Sequence, residues 1–243
     1  MQLQVQTIAH RGASGYAPEN TRAAFDRAID MGSAAIETDV RMIRDGRLVL
    51  FHDGTVDRTS DGSGPVDDFT LEELRRLDLG GWFAAEFAGE RVLTVEEAID
   101  EYVPRIPFVF EIKDGRATRR LIELLRERRM LDRVQITSFL WYPLLDARAL
   151  DGDVNLGFLT PSFETNLVER IVERGINQIC PHVSQLSRRR VDIARAHGLT
   201  VRAWGIDQRV QVERLFESGA DGATINWPDW MQSEAPVSGE TDT

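Results

Sequence analysis

A chain of 243 residues, 42% hydrophobic and 28% charged, can bury one sizeable core. Its formal charge of −11 repels nucleic acid backbones and anionic membranes, so a phosphate-bearing ligand would need a local positive centre. One cysteine, Cys180, excludes an internal disulfide, no apolar run is long enough to span a bilayer, and the first residues lack the basic and apolar regions of a leader. The expectation is a soluble cytoplasmic protein with no nucleic acid partner and no stable membrane insertion.

In chain order, short β-branched or apolar runs alternate with helical patterns. The extended runs are residues 7–10, 35–40, 48–52, 108–113, 134–138, 155–159, 178–181, 200–204 and 222–225. Helical spacing fills 21–31, where Phe25, Ala28 and Ile29 form one face, Asn20 is the expected cap and Gly32 the stop. Further helices are expected at 118–129, 141–150, 164–174, 188–197 and 210–218. Repeated βα units with short connections predict a parallel sheet with helices outside, a (β/α)8 TIM barrel. Nine runs are one too many. Asp45-Gly46 between two extended segments signals a hairpin, which would fold 48–52 back on the second strand and place His52 opposite Asp39.

Residues 53–105 interrupt the alternation and read as a small insertion subdomain within a single domain of residues 1–230. The insertion holds a Gly- and Asp-rich loop at 57–64 and a helix at 70–77 whose Thr70 and Glu73 form a capping box. It also holds a second helix near 95–102. Insertions on the βα-loop face lie where barrel sites are built, so this one is expected to tune substrate choice. The polar tail, 231–243, reads as disordered.

Three strand ends collect polar groups: His10-Arg11 on the first, Glu37 and Asp39 on the second, Glu111 and Lys113 on the fourth. Residues two apart share one side of a strand. Charged groups facing a barrel interior cost several kcal/mol, of order, unless paired or ligated. Three carboxylates converging there suit one hard cation, with Mg²⁺ or Ca²⁺ favoured over zinc and Mn²⁺ also admissible. Singly, each group has a structural reading: a strand-end histidine is more often structural, and Glu37 or Asp39 would pair with one of the plentiful arginines. The coincidence of two histidines, three acids, an arginine and the sole lysine on one barrel face favours a joint site. His182 and His197 lack carboxylate company and read as structural or surface residues.

The stretches AHRGASGYAPENTRAAF, AIETDVRMIRDGRLVLFHDGTVDRTSDGSG and FEIK, followed by TSF at 137–139, the Trp204 strand and GADGATINWP, resemble the glycerophosphodiester phosphodiesterase family in order and spacing. The resemblance covers nearly the whole chain, and its N-terminal blocks are the most specific. It implies His10 and His52 as general base and acid, with Glu37, Asp39 and Glu111 ligating a divalent metal ion. Arg11 and Lys113 would hold phosphate oxygens, Glu19 and Asn20 would support them, and Trp204 would shape the wall near the glycerol. The family often has an acid where Asn226 stands, proline at Leu93 and threonine at Gly205. None of these departures falls in the catalytic set, so they bear on substrate preference.

The implied reaction hydrolyses a small-molecule glycerophosphodiester to sn-glycerol 3-phosphate and an alcohol. The nucleophile is water or the neighbouring glycerol hydroxyl. One rival is a lysophospholipase D or sphingomyelinase D-like enzyme, for which Trp82, Phe83 and Phe87 would supply an apolar groove. The other is a non-catalytic phosphodiester-binding barrel, against which the intact His10, His52, Glu37, Asp39 and Glu111 argue.

Overall fold

Nine strands form one sheet in the computed structural model, which describes residues 5–231. They are β1 (Gln6–His10), β2 (Ala35–Met42), β3 (Leu48–Leu50), β4 (Phe108–Ile112), β5 (Val134–Ser138), β6 (Asn155–Thr160), β7 (Gln178–Pro181), β8 (Thr200–Ile206) and β9 (Gly222–Ile225). The order is β1-β9-β8-β7-β6-β5-β4-β2, and a further β1–β2 pairing closes the ring. These eight strands run parallel, and β3 hangs antiparallel on β2. The helices are α1 (Arg22–Asp30), α2 (Leu71–Leu74), α3 (Val95–Glu101), α4 (Ala117–Glu127), α5 (Trp141–Leu150), α6 (Thr165–Glu173), α7 (Arg188–Ala196) and α8 (Val210–Ser218). All but α2 connect successive barrel strands, so the fold is a (β/α)8 barrel. Among the described residues no helix is long and apolar enough to cross a membrane. The expected polar tail, apart from Met231, lies outside the described residues.

The two-residue period of the strands separates two environments. Outward residues such as Ile36, Val40, Phe108, Phe110 and Ile112 pack against the helices in the main core. Phe25 of α1 is fully buried there, edge-on to Tyr102 and Phe108. Burial of one such ring contributes about 1.5–3 kcal/mol. Inward, Ile8, Ala35 and Val109 form a small apolar layer. Two residues further along the same strands stand His10, Glu37 and Glu111. The charged layer therefore stands directly above these three apolar side chains.

Helix α1 is capped by Thr21, whose hydroxyl accepts from the Ala24 amide, and not by Asn20. Asn20 is held at φ +59 and buried because its side chain works inward, as described below. The hairpin is also one residue longer than Asp45-Gly46 alone suggested. Ile43 N–H donates to Arg47 O, and Gly46 takes φ +77, so the loop is residues 44–46. A three-residue loop with a left-handed glycine shifts the register by one. Asp39 consequently lies opposite Phe51, whose amide donates to Asp39 O at 3.0 Å, and His52 falls just beyond the strand.

Packing divides the segment 53–105. Val56, Val66, Leu74, Leu79 and Val92 form a satellite core with Ile43, Val49 and Phe51 of the hairpin. Leu93 and the α3 residues Val95, Ala98 and Ile99 belong to the main core. Helix α3, with its own Thr94–Glu97 capping box, is thus the barrel's outer helix between the second and third parallel strands rather than part of the satellite.

Candidate active site

The carboxyl ends of the strands surround a cavity of about 320 Å³. Arg11 follows β1 at φ +56, and Gly12 follows at φ +82. A Cβ on Gly12 would lie 2.6 Å from the Ala24 backbone, so only glycine lets α1 pack this close. This turn aims the Arg11 amide at Glu37 Oε2, 3.2 Å away, and carries its side chain over the second strand. Arg11 Nη1 donates to Glu19 Oε1 at 2.9 Å, and Nε is ion-paired with Asp39 Oδ2 at 3.2 Å. Asn20 donates to Asp39 Oδ2 at 3.0 Å and accepts from Thr38 Oγ1 at 2.6 Å.

Glu37, Asp39 and Glu111 are all buried, and one oxygen from each lies within 4.8 Å of the others. Like charges about 4 Å apart repel by about 4 kcal/mol at an effective dielectric of 20. Burial first, and then the charges of Asp39 and Glu111, push the Glu37 carboxyl well above the usual range. Glu111 is raised by burial and by Asp39. Burial acts the same way on Asp39, but Arg11 and Lys113 outweigh it and hold Asp39 below the carboxylate range. Lys113 Nζ sits among the acids, 2.5 Å from Glu111 Oε1 and 3.3 Å from Asp39 Oδ1. Asp39 Oδ1 is buried and accepts no hydrogen bond among the described residues. A buried carboxylate oxygen inside an all-oxygen trio, with an ammonium at 3.3 Å but no aligned hydrogen bond, fits a hard divalent cation.

The two histidines are oriented differently. His10 Nδ1 is 2.6 Å from Asn226 Oδ1, an acceptor, so Nδ1 carries the proton and Nε2 is the lone-pair nitrogen. Nε2 lies 3.8 Å from Glu37 Oε2. Burial, reinforced by Arg11, pushes His10 down to about 3. His52 Nδ1 is 2.6 Å from Asp53 Oδ1. Asp53 is held down to about 2, chiefly by hydrogen bonds from Arg58, so it is a carboxylate facing an imidazole. Burial lowers His52, while Asp39 and the Asp53 bond oppose that shift. Arg41 donates twice to His52 O, at 2.8 and 3.0 Å, and fixes its backbone.

The structure brings His10, Arg11, Glu37, His52, Glu111, Lys113 and Trp204 to the cavity wall. Asp39, Glu19 and Asn20 stand behind it. Asp53 and Arg58 were not anticipated, although Asp53 is adjacent to His52 in sequence. Arg58 joins the set through a loop, donating to both Asp53 oxygens and both Glu19 oxygens. The insertion thereby braces His52 and Arg11, which ties it to the chemical groups. Trp82 and Phe83 pack edge-on to each other, and neither lines the cavity. His182, read from sequence as structural or surface, lines the cavity beside Trp204. His197 bonds Ile193 O on its own helix, away from the cavity.

Asn226 also corrects the sequence reading, which kept the departures clear of the catalytic set. It is the direct partner of His10, so a neutral amide stands where a carboxylate would stabilise an imidazolium. Asn226→Asp is expected to raise the His10 pKa. If His10 is the base that the sequence resemblance implies, it must be neutral to work, and the acid limb of the kcat/KM profile should move to higher pH. An unmoved acid limb would show that the Asn226 contact does not set this titration.

This constellation has known counterparts. A model of the glycerophosphoryl diester phosphodiesterase family matches residues 10–230. A glycerophosphodiester phosphodiesterase of Caldanaerobacter subterraneus is 35% identical over 94% of this chain and 97% of its own length. A phosphodiesterase of Oleispira antarctica, solved in complex with the product sn-glycerol-3-phosphate, superposes with a TM-score of 0.88 at 30% identity, covering 94% of this chain and 95% of that one. The glycerophosphodiester phosphodiesterase of Agrobacterium tumefaciens gives 0.83 at 26% identity, covering 94% and 99%. With the family pattern matched from the first catalytic-face residue to the last described turn, the chain belongs to the glycerophosphoryl diester phosphodiesterase family.

Proposed function

We propose that this protein hydrolyses glycerophosphodiesters to sn-glycerol 3-phosphate and an alcohol, by histidine acid–base catalysis with a divalent metal ion. The observation that carries this reading is the opposed environment of His10 and His52 around the carboxylate trio. Glu37, Asp39 and Glu111 would hold the ion, with Mg²⁺ or Ca²⁺ the best match to their oxygens. Bound there, the ion would neutralise the phosphodiester and the charge that develops on it in displacement.

The chain's own groups divide the remaining work. His10 has a neutral hydrogen-bond partner and a free Nε2, which suits a base that takes the proton from the attacking oxygen. His52 leans on an ionised carboxylate, which stabilises its imidazolium and suits the acid that protonates the leaving alkoxide. Arg11 and Lys113 supply positive charge for the phosphate oxygens. Arg11 is locked by Glu19 and Asp39, so it presents that charge at a fixed place. Glu19 and Asn20 act through Arg11 and Asp39.

The test is a panel of glycerophosphodiesters with different alcohols, each assayed for sn-glycerol 3-phosphate release with Mg²⁺, Ca²⁺ and Mn²⁺. Turnover of at least one diester with one ion is the expected result. Binding of the diesters without any turnover would leave a non-catalytic barrel. Choline release from lysophosphatidylcholine without choline release from glycerophosphocholine would point to the lipid-directed rival.

A further inference from the structure

Resting on that function, we infer that His182 is a substrate-binding residue whose Nε2–H donates to the terminal hydroxyl of the glycerol unit. The ring is fixed by its own loop. The Ser184 amide lies 3.2 Å from His182 Nδ1 and can only donate, so in the neutral ring Nδ1 accepts and Nε2 carries the proton. His182 follows β7, and β7 faces β2 across the eight-stranded ring. His182 therefore lines the wall of the cavity opposite Glu37 and Asp39.

Two neighbours make this wall a shaped surface. Trp204 donates its indole N–H to Cys180 O at 3.0 Å, and its ring stands edge-on to His182 on one side and to Phe139 on the other. Gly205 takes φ +79, and a Cβ there would lie 2.4 Å from His182 Nε2 and Cδ2. Glycine at 205 is thus what admits the imidazole. Any side chain at this position would need a backbone shift or would displace the ring. The three side chains offer flat apolar faces to C–H groups and one directed donor to an oxygen, a combination suited to a polyol.

The choice of hydroxyl follows from the layout. Phosphate charge is met on the β1, β2 and β4 side by Arg11, Lys113 and the trio. A glycerol phosphate anchored there extends toward β7 and β8 with its terminal hydroxyl leading. His182 acts on binding and discrimination, not on proton transfer at phosphorus.

The experiment compares binding of sn-glycerol 3-phosphate with that of propane-1,2-diol 1-phosphate, which lacks only the terminal hydroxyl. Both are measured on the full chain with the activating metal present. The wild type should prefer glycerol phosphate by about tenfold, the scale of one hydrogen bond. His182→Phe should lose that preference by weakening glycerol phosphate about tenfold, with the propanediol ligand changing less than about twofold. Equal weakening of both ligands, or of neither, would overturn the inference and leave His182 as wall packing. Should His182→Phe fail to fold, His182→Gln keeps an N–H donor and His182→Ala removes it. Preference retained by Gln and lost by Ala supports the inference, and equal behaviour of the two overturns it. A wild type that hydrolyses none of the diester panel counts against the proposed function. A wild type that turns the panel over, without preferring the terminal hydroxyl, counts against His182 alone.

Discussion

Alanine at His10 or His52 should lower kcat by about 10²–10⁴-fold, or about 2.7–5.4 kcal/mol in the barrier. Both variants should keep their fold, because the two side chains are 30% and 31% exposed at the cavity mouth and leave no core void. The variants should differ in how they respond to the leaving group. A p-nitrophenyl phosphodiester expels an anion that needs no proton, so it should restore most of the rate to His52→Ala. It should do nothing for His10→Ala, whose missing group acts on the nucleophile. The assignment follows from the surroundings: the Asp53 carboxylate favours a protonated His52, whereas His10 has only a neutral amide partner and is held neutral by burial and by Arg11. Rescue of His10→Ala in place of His52→Ala would exchange the two roles. Full activity in either variant would remove that residue from the chemistry.

Much of this site could be read from the sequence because its residues sit on strands, where the period of two dictates direction. Glu37 and Asp39 on β2 point inward together, as do Ile8 and His10 on β1. Charged groups at such positions are costly enough to announce themselves. What escaped lies on loops, where no period applies. Asp53 and Arg58 reach His52 and Glu19 through a loop whose sequence says only that it turns. The register of the hairpin depended on one left-handed glycine, and a single residue decided whether Asp39 faced His52 or Phe51. The capping residue of α1 moved from Asn20 to Thr21 because a buried hydrogen bond to Asp39 claimed Asn20. His182 was passed over for want of an acidic neighbour. Its role rests on an amide donor and a missing Cβ at Gly205, both of which are backbone features invisible to composition.

Exhaustive chelation should abolish activity, and readdition of a divalent ion should restore it while raising the melting temperature. At an ion concentration 100 times its dissociation constant, stabilisation is about 2.7 kcal/mol, or about 5–10 °C for a chain of this size. The size of that shift should depend on pH, and its sign can be worked out. The folded-state pKa of Glu37 lies well above that of an ordinary carboxyl, so the metal-free fold holds a proton that the unfolded chain has released. Stability of the metal-free protein should therefore fall as pH rises through the window between the unfolded and folded Glu37 values. Asp39, depressed instead, contributes in the opposite direction, but only at lower pH, where its unfolded form titrates. A cation needs Glu37 ionised, so it binds more tightly as pH rises and offsets the loss that the metal-free chain suffers. The gap in melting temperature between metal-loaded and chelated protein should accordingly widen from mildly acidic to neutral pH. Glu37→Gln should flatten the metal-free pH dependence, because the amide cannot ionise, and should shrink the gap by removing a ligand. A gap that is absent, or that narrows as pH rises, would mean that Lys113 and Arg11 alone neutralise the trio.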